Sequence, residues 1–258
     1  MQNRLTQLFA KKPNGLLSVF YTAGFPKLDD TVPVGVALAQ AGADLIEVGI
    51  PFSDPVADGP TIQESNKIAL ENGISVKTIL QQVRALRSQV QIPIVLMGYL
   101  NPVLQYGMEN FAKEAAAAGV DGLILPDMPL YDYERHYRQL FDDHNLSVIF
   151  LIAPTTSEER IRKIDEVSNA FIYAVSASST TGATSGFGES QLQYFQRLQN
   201  MKLRNSFLIG FGISDRSTFE SACNFGAGAI VGSAFIKSLQ QATDMKATVG
   251  QFVKKLKP

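Results

Sequence analysis

The chain is poor in the residues that most often announce chemistry. Among 258 residues it has one cysteine, Cys223, and two histidines, His136 and His144. A single cysteine excludes an intrachain disulfide and fits a reducing compartment. Nothing beside it activates a thiol, so it reads as core filler. Both histidines fall in or just after the helix that follows the fourth expected strand, which leaves neither a His-rich metal site nor a histidine general base. Charge of one sign is missing as well. The 23 basic and 24 acidic residues give a net charge of −1 and are dispersed, so no field gathers nucleic acid or an anionic membrane. No apolar run reaches membrane-spanning length, and the opening MQNRLTQLFAKKPNG lacks the apolar stretch of a signal peptide. The expectation is a soluble, cytoplasmic enzyme acting on a small metabolite.

What is present is a repeating pattern. Eight short apolar, β-rich runs occur at Leu17 to Tyr21, Asp44 to Val48, Pro93 to Met97, Gly122 to Leu125, Ser147 to Leu151, Phe171 to Val175, Ser206 to Gly210 and Gly228 to Gly232. Between them lie segments with helical spacing, such as Val76-Ile79-Leu80-Val83-Leu86, Phe111-Ala115-Ala118 and Ile161-Ile164-Val167. Gly42, Gly119 and Gly226 each follow a helix and precede a strand, where glycine supplies a left-handed C-cap. Strand-helix alternation implies parallel strands with right-handed crossovers, and eight such units match an α/β (β/α)8 TIM barrel, a doubly wound open sheet being the structural alternative. No linker or low-complexity tract divides the chain, so one domain over residues 1–258 is expected. An extra N-terminal helix is expected over Met1 to Ala10 and a C-terminal one over Thr243 to Leu256.

Two loops are longer than their counterparts, those after the second and sixth strands, and extra length at the C-terminal rim of a barrel usually builds the active site. The second strand carries Glu47 inside the apolar run LIEVG. An ionised carboxylate is costly to bury without a partner, so Glu47 is the leading catalytic candidate. Alternation along the strand turns Leu45, Glu47 and Gly49 one way and Ile46 and Val48 the other, and the aliphatic pair suits the helix layer. Downstream, Asp58-Gly59 puts a second carboxylate on the loop that leaves the same strand. Two carboxylates in unlike surroundings are a common means of separating acid from base, although Asp-Gly is also ordinary turn chemistry. The loop Ser176 to Gly188, SASSTTGATSGFG, suits a mobile lid.

Gly210-Phe211-Gly212 and Gly232-Ser233-Ala234 follow the last two strands, where many barrels bind phosphate through backbone N–H groups and a helix N-terminus. No lysine lies in any of the eight strands, so a Schiff-base aldolase lacks its nucleophile. Carboxylate acid-base catalysis remains, with Tyr173 on the sixth strand as a further group. Proline stiffens the loops Tyr99-Leu100-Asn101-Pro102 and Pro126-Asp127-Met128-Pro129. Phe20, Leu100, Leu125 and Phe211 read in two ways, as an apolar enclosure for a flat aromatic substrate or as plain packing at the barrel mouth.

With these residues in view, the chain resembles the tryptophan synthase alpha family. The resemblance rests on Tyr21-Thr22-Ala23-Gly24, IEVGIPFSDPVADGPTIQ from Ile46 to Gln63, NPVLQYG from Asn101 to Gly107, GVDGLILPDMP from Gly119 to Pro129, Thr181-Gly182, GFGIS from Gly210 to Ser214 and VGSA from Val231 to Ala234. It implies retro-aldol cleavage of indole-3-glycerol phosphate to indole and glyceraldehyde 3-phosphate. Glu47 then matches the general acid/base, Asp58 the group that bonds the indole N–H, and Tyr173 a tyrosine near the substrate hydroxyls. Gly182, Gly212, Gly232 and Ser233 match the phosphate cradle, Thr181 a further substrate-binding position, and Phe20, Leu100 and Phe211 the indole pocket. It also implies a β subunit carrying pyridoxal phosphate in an α2β2 heterotetramer, touched through Pro51, Asp54, Asp127, Met128 and Pro129, with no metal or cofactor in this chain. The chain departs from the family at the lid, where Ser179-Thr180 replace the common Gly-Val, and at Thr184, where a charged residue is frequent. The competing expectations are a phosphosugar isomerase or epimerase on the same fold, and a non-catalytic barrel that mainly activates a β subunit.

Overall fold

The structure is a computed structural model that describes residues 2–55, 58–176 and 186–257. Its parallel strands are β1 (Leu16–Thr22), β2 (Leu45–Gly49), β3 (Ile94–Met97), β4 (Gly122–Ile124), β5 (Ser147–Ile149), β6 (Leu151–Ile152), β7 (Phe171–Val175), β8 (Ser206–Gly210) and β9 (Gly228–Val231). They pair in the order β5-β4-β3-β2-β1-β9-β8-β7-β6. The expected fifth strand is thus interrupted at Phe150: its first part bonds β4, its second bonds β7, and the two halves of the wall meet there. The fold is the expected (β/α)8 TIM barrel: β1 pairs with β9, and β5 and β6, the two ends of the strand order, are one run of chain joined at Phe150, which rules out the open sheet.

Alternation decides which side chains fill the two layers. Leu17, Val19, Tyr21, Ile46 and Val48 pack outward against the helices. Leu16, Leu45, Val95, Ile124, Ile149, Phe171, Tyr173, Leu208 and Ile230 form the inner cluster. The N-terminal helix, Arg4–Lys11, closes the bottom of the barrel, with Leu5 fully buried in that cluster and the Phe9 ring stacked on Phe171 at 5.2 Å. It starts at Asn3, whose side chain accepts from Thr6 N–H while its own N–H donates to Thr6 Oγ1, both at 3.0 Å. The C-terminal helix begins at Met245, later than expected, because Asp244 caps it by accepting from Ala247 N–H.

Carboxylates pin the N-terminal face. Asp121, directly before β4, accepts from Ile94 N–H, Arg87 and Arg4 at 2.9, 2.7 and 3.2 Å. Asp44, directly before β2, holds Lys12 and Lys257, each at 2.6 Å, and Leu17 N–H. Cys223 lies half-buried at this end, where burial pushes its thiol upward.

The repeated glycine before a strand has two physical origins. Gly42 and Gly119 adopt the expected left-handed conformation, with φ of 100° and 87°. Gly226 does not: its φ is −112°, and what requires glycine there is space, since a Cβ would stand 2.8 Å from the Phe207 carbonyl oxygen. Gly228, two residues later, is tighter still, with a Cβ falling 2.0 Å from Leu16 O in the β1–β9 seam. Gly228→Ala is therefore expected to destabilise the barrel by at least ~3 kcal/mol, the upper range for overpacking. Gly42→Ala, in open space, pays only the left-handed conformation, about 1–2 kcal/mol. Urea denaturation of both variants checks the order, and a smaller loss for Gly228→Ala contradicts the account of the seam.

Candidate functional site

Glu47 is fully buried on the inward face of β2. Its Oε1 accepts from Ser18 Oγ at 2.6 Å, and Oε2 has no hydrogen-bond partner among the described residues. Ser18 reaches it because β1 and β2 run in parallel register, Ser18 opposite Leu45 and Phe20 opposite Glu47. One hydroxyl does not replace the water a carboxylate loses on burial, so desolvation raises the pKa from 4.5 to about 7, and the Ser18 bond draws it back only in part. Glu47 is thereby poised to exchange a proton near neutrality.

Asp58 lies half-buried at the start of the helix Pro60–Glu71. Burial raises its pKa, and the Tyr99 hydroxyl, donating to Oδ2 at 3.4 Å, opposes that rise. The two carboxylates thus differ in surroundings as the sequence led one to expect. Tyr173 on β7 faces both: burial raises its pKa well above the ordinary value, and the negative charges of Glu47 and Asp58 raise it further.

The other candidate residues lie at or just past the C-terminal ends of β1, β3, β8 and β9. Phe20 covers Gly49, where a Cβ would sit 2.6 Å from its ring, and also borders Gly232, 3.5 Å by the same measure. Phe211 meets the Tyr173 ring edge-on, centroids 6.3 Å apart. The loop after β8 carries two successive residues of positive φ, Phe211 at 68° and Gly212 at 76°. Such a conformation costs a non-glycine residue of order 1 kcal/mol or more and clusters at functional sites. Ser176 Oγ holds it by donating to Phe211 O at 2.8 Å. Gly232 opens the helix Ser233–Gln240, whose N-terminus has no side-chain cap, and Ser233 is exposed there. Leu100 opens the helix Leu100–Tyr106 and packs against the outer core while remaining partly exposed.

Thr181 and Gly182, and the lid positions Ser179, Thr180 and Thr184, lie outside the described residues. Of the expected partner-facing residues, Asp54, Asp127 and Pro129 are exposed, whereas Pro51 and Met128 are buried. Met128 is 5% exposed and belongs to the core, because it is an apolar side chain on a loop that folds back over the helix layer. It supports its neighbours instead of presenting a surface.

Three contributors were not anticipated: Ser18, Tyr99 as the partner of Asp58, and Ser176. Ser18 had a signal, a hydroxyl with inward parity on the strand adjacent to Glu47. Tyr99 and Ser176 had none, since their bonds span 41 and 35 residues. Among the described residues no group of His, Cys, Asp and Glu could hold a metal ion, and no helix is long and apolar enough to cross a membrane. Cavities of about 420 and 450 Å³ open elsewhere, one along the helices Glu158–Val167 and Glu189–Asn200, the other at the N-terminal face beside Gly226. Neither contains a residue of the rim.

Comparison with known proteins identifies the family. The family model described as tryptophan synthase alpha chain matches residues 5–257. The tryptophan synthase alpha chain of Christiangramia forsetii is 49% identical over 99% of this chain and 98% of its own length. That of Parabacteroides distasonis is also 49% identical, covering 99% of each. Among solved structures, the alpha chain of Legionella pneumophila superposes with a TM-score of 0.88 at 32% identity, covering 99% of this chain and 96% of the other. A chain of the aminoacrylate-bound tryptophan synthase of M. tuberculosis gives 0.86 at 30% identity, covering 99% and 100%. Matched along almost its whole length in sequence and in fold, the chain belongs to the tryptophan synthase alpha chain family, a lyase of tryptophan biosynthesis that cleaves indole-3-glycerol phosphate.

Proposed function

We propose that Glu47 and Asp58 divide the work of the alpha reaction, in which indole-3-glycerol phosphate yields indole and glyceraldehyde 3-phosphate. The observation that carries this reading is the state of Glu47: fully buried on the inward face, bonded to a single hydroxyl, and half-protonated near pH 7. Glu47 in its acid form donates its proton to C3 of the indole ring. The positive charge this creates appears at the ring nitrogen, whose N–H bonds the Asp58 carboxylate. The Glu47 carboxylate then takes the proton of the hydroxyl on the carbon attached to C3. As that carbon becomes the aldehyde, the electrons of its bond to C3 return to the ring, indole is released, and Glu47 is protonated again. Each proton lost is regained, so the chain's own residues suffice for the step.

Around these groups, Phe20, Leu100 and Phe211 enclose the ring, Tyr173 lies by the substrate hydroxyls, and Gly212, Gly232 and Ser233, with Thr181 and Gly182 of the lid, hold the phosphate. The uncapped start of the Ser233–Gln240 helix supports an anion there. The chain acts as one domain and delivers indole to a β subunit that carries pyridoxal phosphate, in an α2β2 assembly that meets the exposed residues Asp54, Asp127 and Pro129.

Indole release from indole-3-glycerol phosphate is the direct test. Glu47→Gln is expected to lose turnover by at least ~10²-fold, the usual worth of a general acid-base group, while retaining substrate binding. An active variant refutes the assignment. Asp58→Asn is expected to lose about 10²–10³-fold, the scale of one electrostatic donor or acceptor at a developing charge. Unimpaired indole formation counts against it.

The raised pKa of Glu47 also fixes two dependences on pH. Because C3 is protonated first, kcat/KM is expected to fall above about pH 7 as Glu47 loses its proton in the free enzyme. On the acid side it falls as Asp58 is protonated, at a pH above the ordinary carboxyl value. Stability responds separately. Between pH 4.5 and 7 the unfolded chain has released the proton that folded Glu47 still holds, so the native state loses stability as pH rises through that window. Above it the loss is complete, at about 3 kcal/mol. Glu47→Gln is neutral at every pH and is expected to be more stable than the wild type at pH 8 by up to that amount, and similar at pH 4. Urea denaturation at both values decides, and equal stability at pH 8 removes the claim that the carboxylate is costly where it sits.

A further inference from the structure

The rim residue Tyr99 is held by one neighbouring segment from both sides. Before it, Gly98 N–H donates to Ile124 O at 3.0 Å, in the last residue of β4. After it, Leu100 N–H donates to both carboxylate oxygens of Asp127, at 2.9 and 3.1 Å, in the loop that leaves β4. The helix that Leu100 opens has Tyr99 at its N-cap position, with no side-chain cap of its own. Asp127, distant in sequence, supplies the missing acceptor, and a carboxylate at a helix N-terminus is favoured by the free N–H groups and the dipole. Gly98 is also pressed against Ile50, the residue just past β2, since a Cβ there would stand 2.7 Å from Ile50 Cβ. The Tyr99 backbone therefore has little freedom. Its ring lies 5.3 Å from that of Phe52, and its hydroxyl ends on Asp58.

We infer that Asp127 is a positioning residue for the cleavage reaction: by capping the helix after β3 it fixes Tyr99 and Leu100, and through the Tyr99 hydroxyl it sets the position of Asp58. The inference rests on the role given to Asp58 above. The side chains that meet Asp58 come from two elements, Tyr99 after β3, whose hydroxyl donates to it, and Tyr173 on β7, whose proton affinity the Asp58 charge raises. Of these only Tyr99 is tied to Asp127. Asp127 itself is exposed, which separates it from the reacting atoms and makes its carboxylate replaceable without opening a cavity in the core.

The test compares Asp127→Ala and Asp127→Asn with the wild type, measuring indole formation from indole-3-glycerol phosphate across pH by this chain alone, so that the β-subunit contact proposed for Asp127 does not enter, with Asp58→Asn alongside. In Asp127→Ala, kcat/KM is expected to fall about ten- to a hundredfold, the cost of a displacement near an ångström at a reacting group, with the larger part in kcat. Its acid limb is expected to move to higher pH, because Tyr99 no longer opposes the rise that burial imposes on Asp58. Asparagine caps helices about as well as aspartate, so Asp127→Asn is expected to stay within about threefold of wild type and keep the wild-type acid limb. The inference is overturned if Asp127→Ala keeps both rate and acid limb, if it loses only thermal stability, or if Asp127→Asn is as impaired as Asp127→Ala. Full turnover by Asp58→Asn overturns it together with the reading of Asp58, whereas an inactive Asp58→Asn beside an unaffected Asp127→Ala removes the positioning role alone.

Discussion

Everything at the rim depends on the poor solvation of one carboxyl group. In Glu47 the protein keeps an acid inside the barrel wall and offers it a single hydroxyl, Ser18. No cation lies among the causes that set its proton affinity; burial dominates. A buried lysine or arginine at hydrogen-bond distance would have lowered that pKa and fixed the group as a permanent anion. The choice of serine leaves the proton exchangeable. Surrounding side chains extend the same condition, since Tyr173 is held well above its ordinary pKa by burial and stays a neutral phenol beside the two acids.

The contrast with the other buried carboxylates makes the point general. Asp121 is 1% exposed and Asp165 6%, so both are nearly as hidden as Glu47. Asp121 has two arginines and a backbone N–H. Asp165 accepts from the N–H groups of Arg204 and Asn205 and from the Asn205 side chain, at 2.8 to 2.9 Å. Their lone pairs are filled by donors, as burial normally demands. Both orient chain segments that lead into strands at the N-terminal end. Burial alone therefore does not leave a carboxylate short of hydrogen bonds; the number of donors around it decides.

That distinction explains what was legible in the sequence. The barrel was legible because eight apolar runs with glycine punctuation constrain topology strongly, and the interruption at Phe150 changed only how one run was divided. Glu47 stood out because a charged side chain in the sequence LIEVG violates the pattern around it, and strand parity was enough to aim it inward. Asp121 and Asp44 showed no comparable anomaly, since an acid just before a strand resembles loop chemistry. The two kinds of glycine could not be separated either. Gly42 and Gly226 occupy the same place in the motif, yet one answers to a dihedral angle and the other to a carbonyl oxygen from β8 that only the folded chain brings close. Tyr99 and Ser176 were invisible for the same reason: their partners come from other βα units, and pairing across a barrel has no signature in a single sequence.

The two ends of the barrel thus use the same side-chain chemistry for opposite purposes. At the N-terminal face, ion pairs and caps saturate the acids and tie the terminal helix to the strands, through Asn3 and Arg4 on one side and Lys12 and Lys257 on the other. Stability there is bought with fully matched partners. At the C-terminal face, an uncapped helix start, a strained Phe211 and an acid with one oxygen unmatched all remain. Each of these is unfavourable for folding, and the helix start and the free carboxylate oxygen each leave room for a partner that a bound group can supply. Groups left unsaturated in this way are where binding energy can be directed to the transition state.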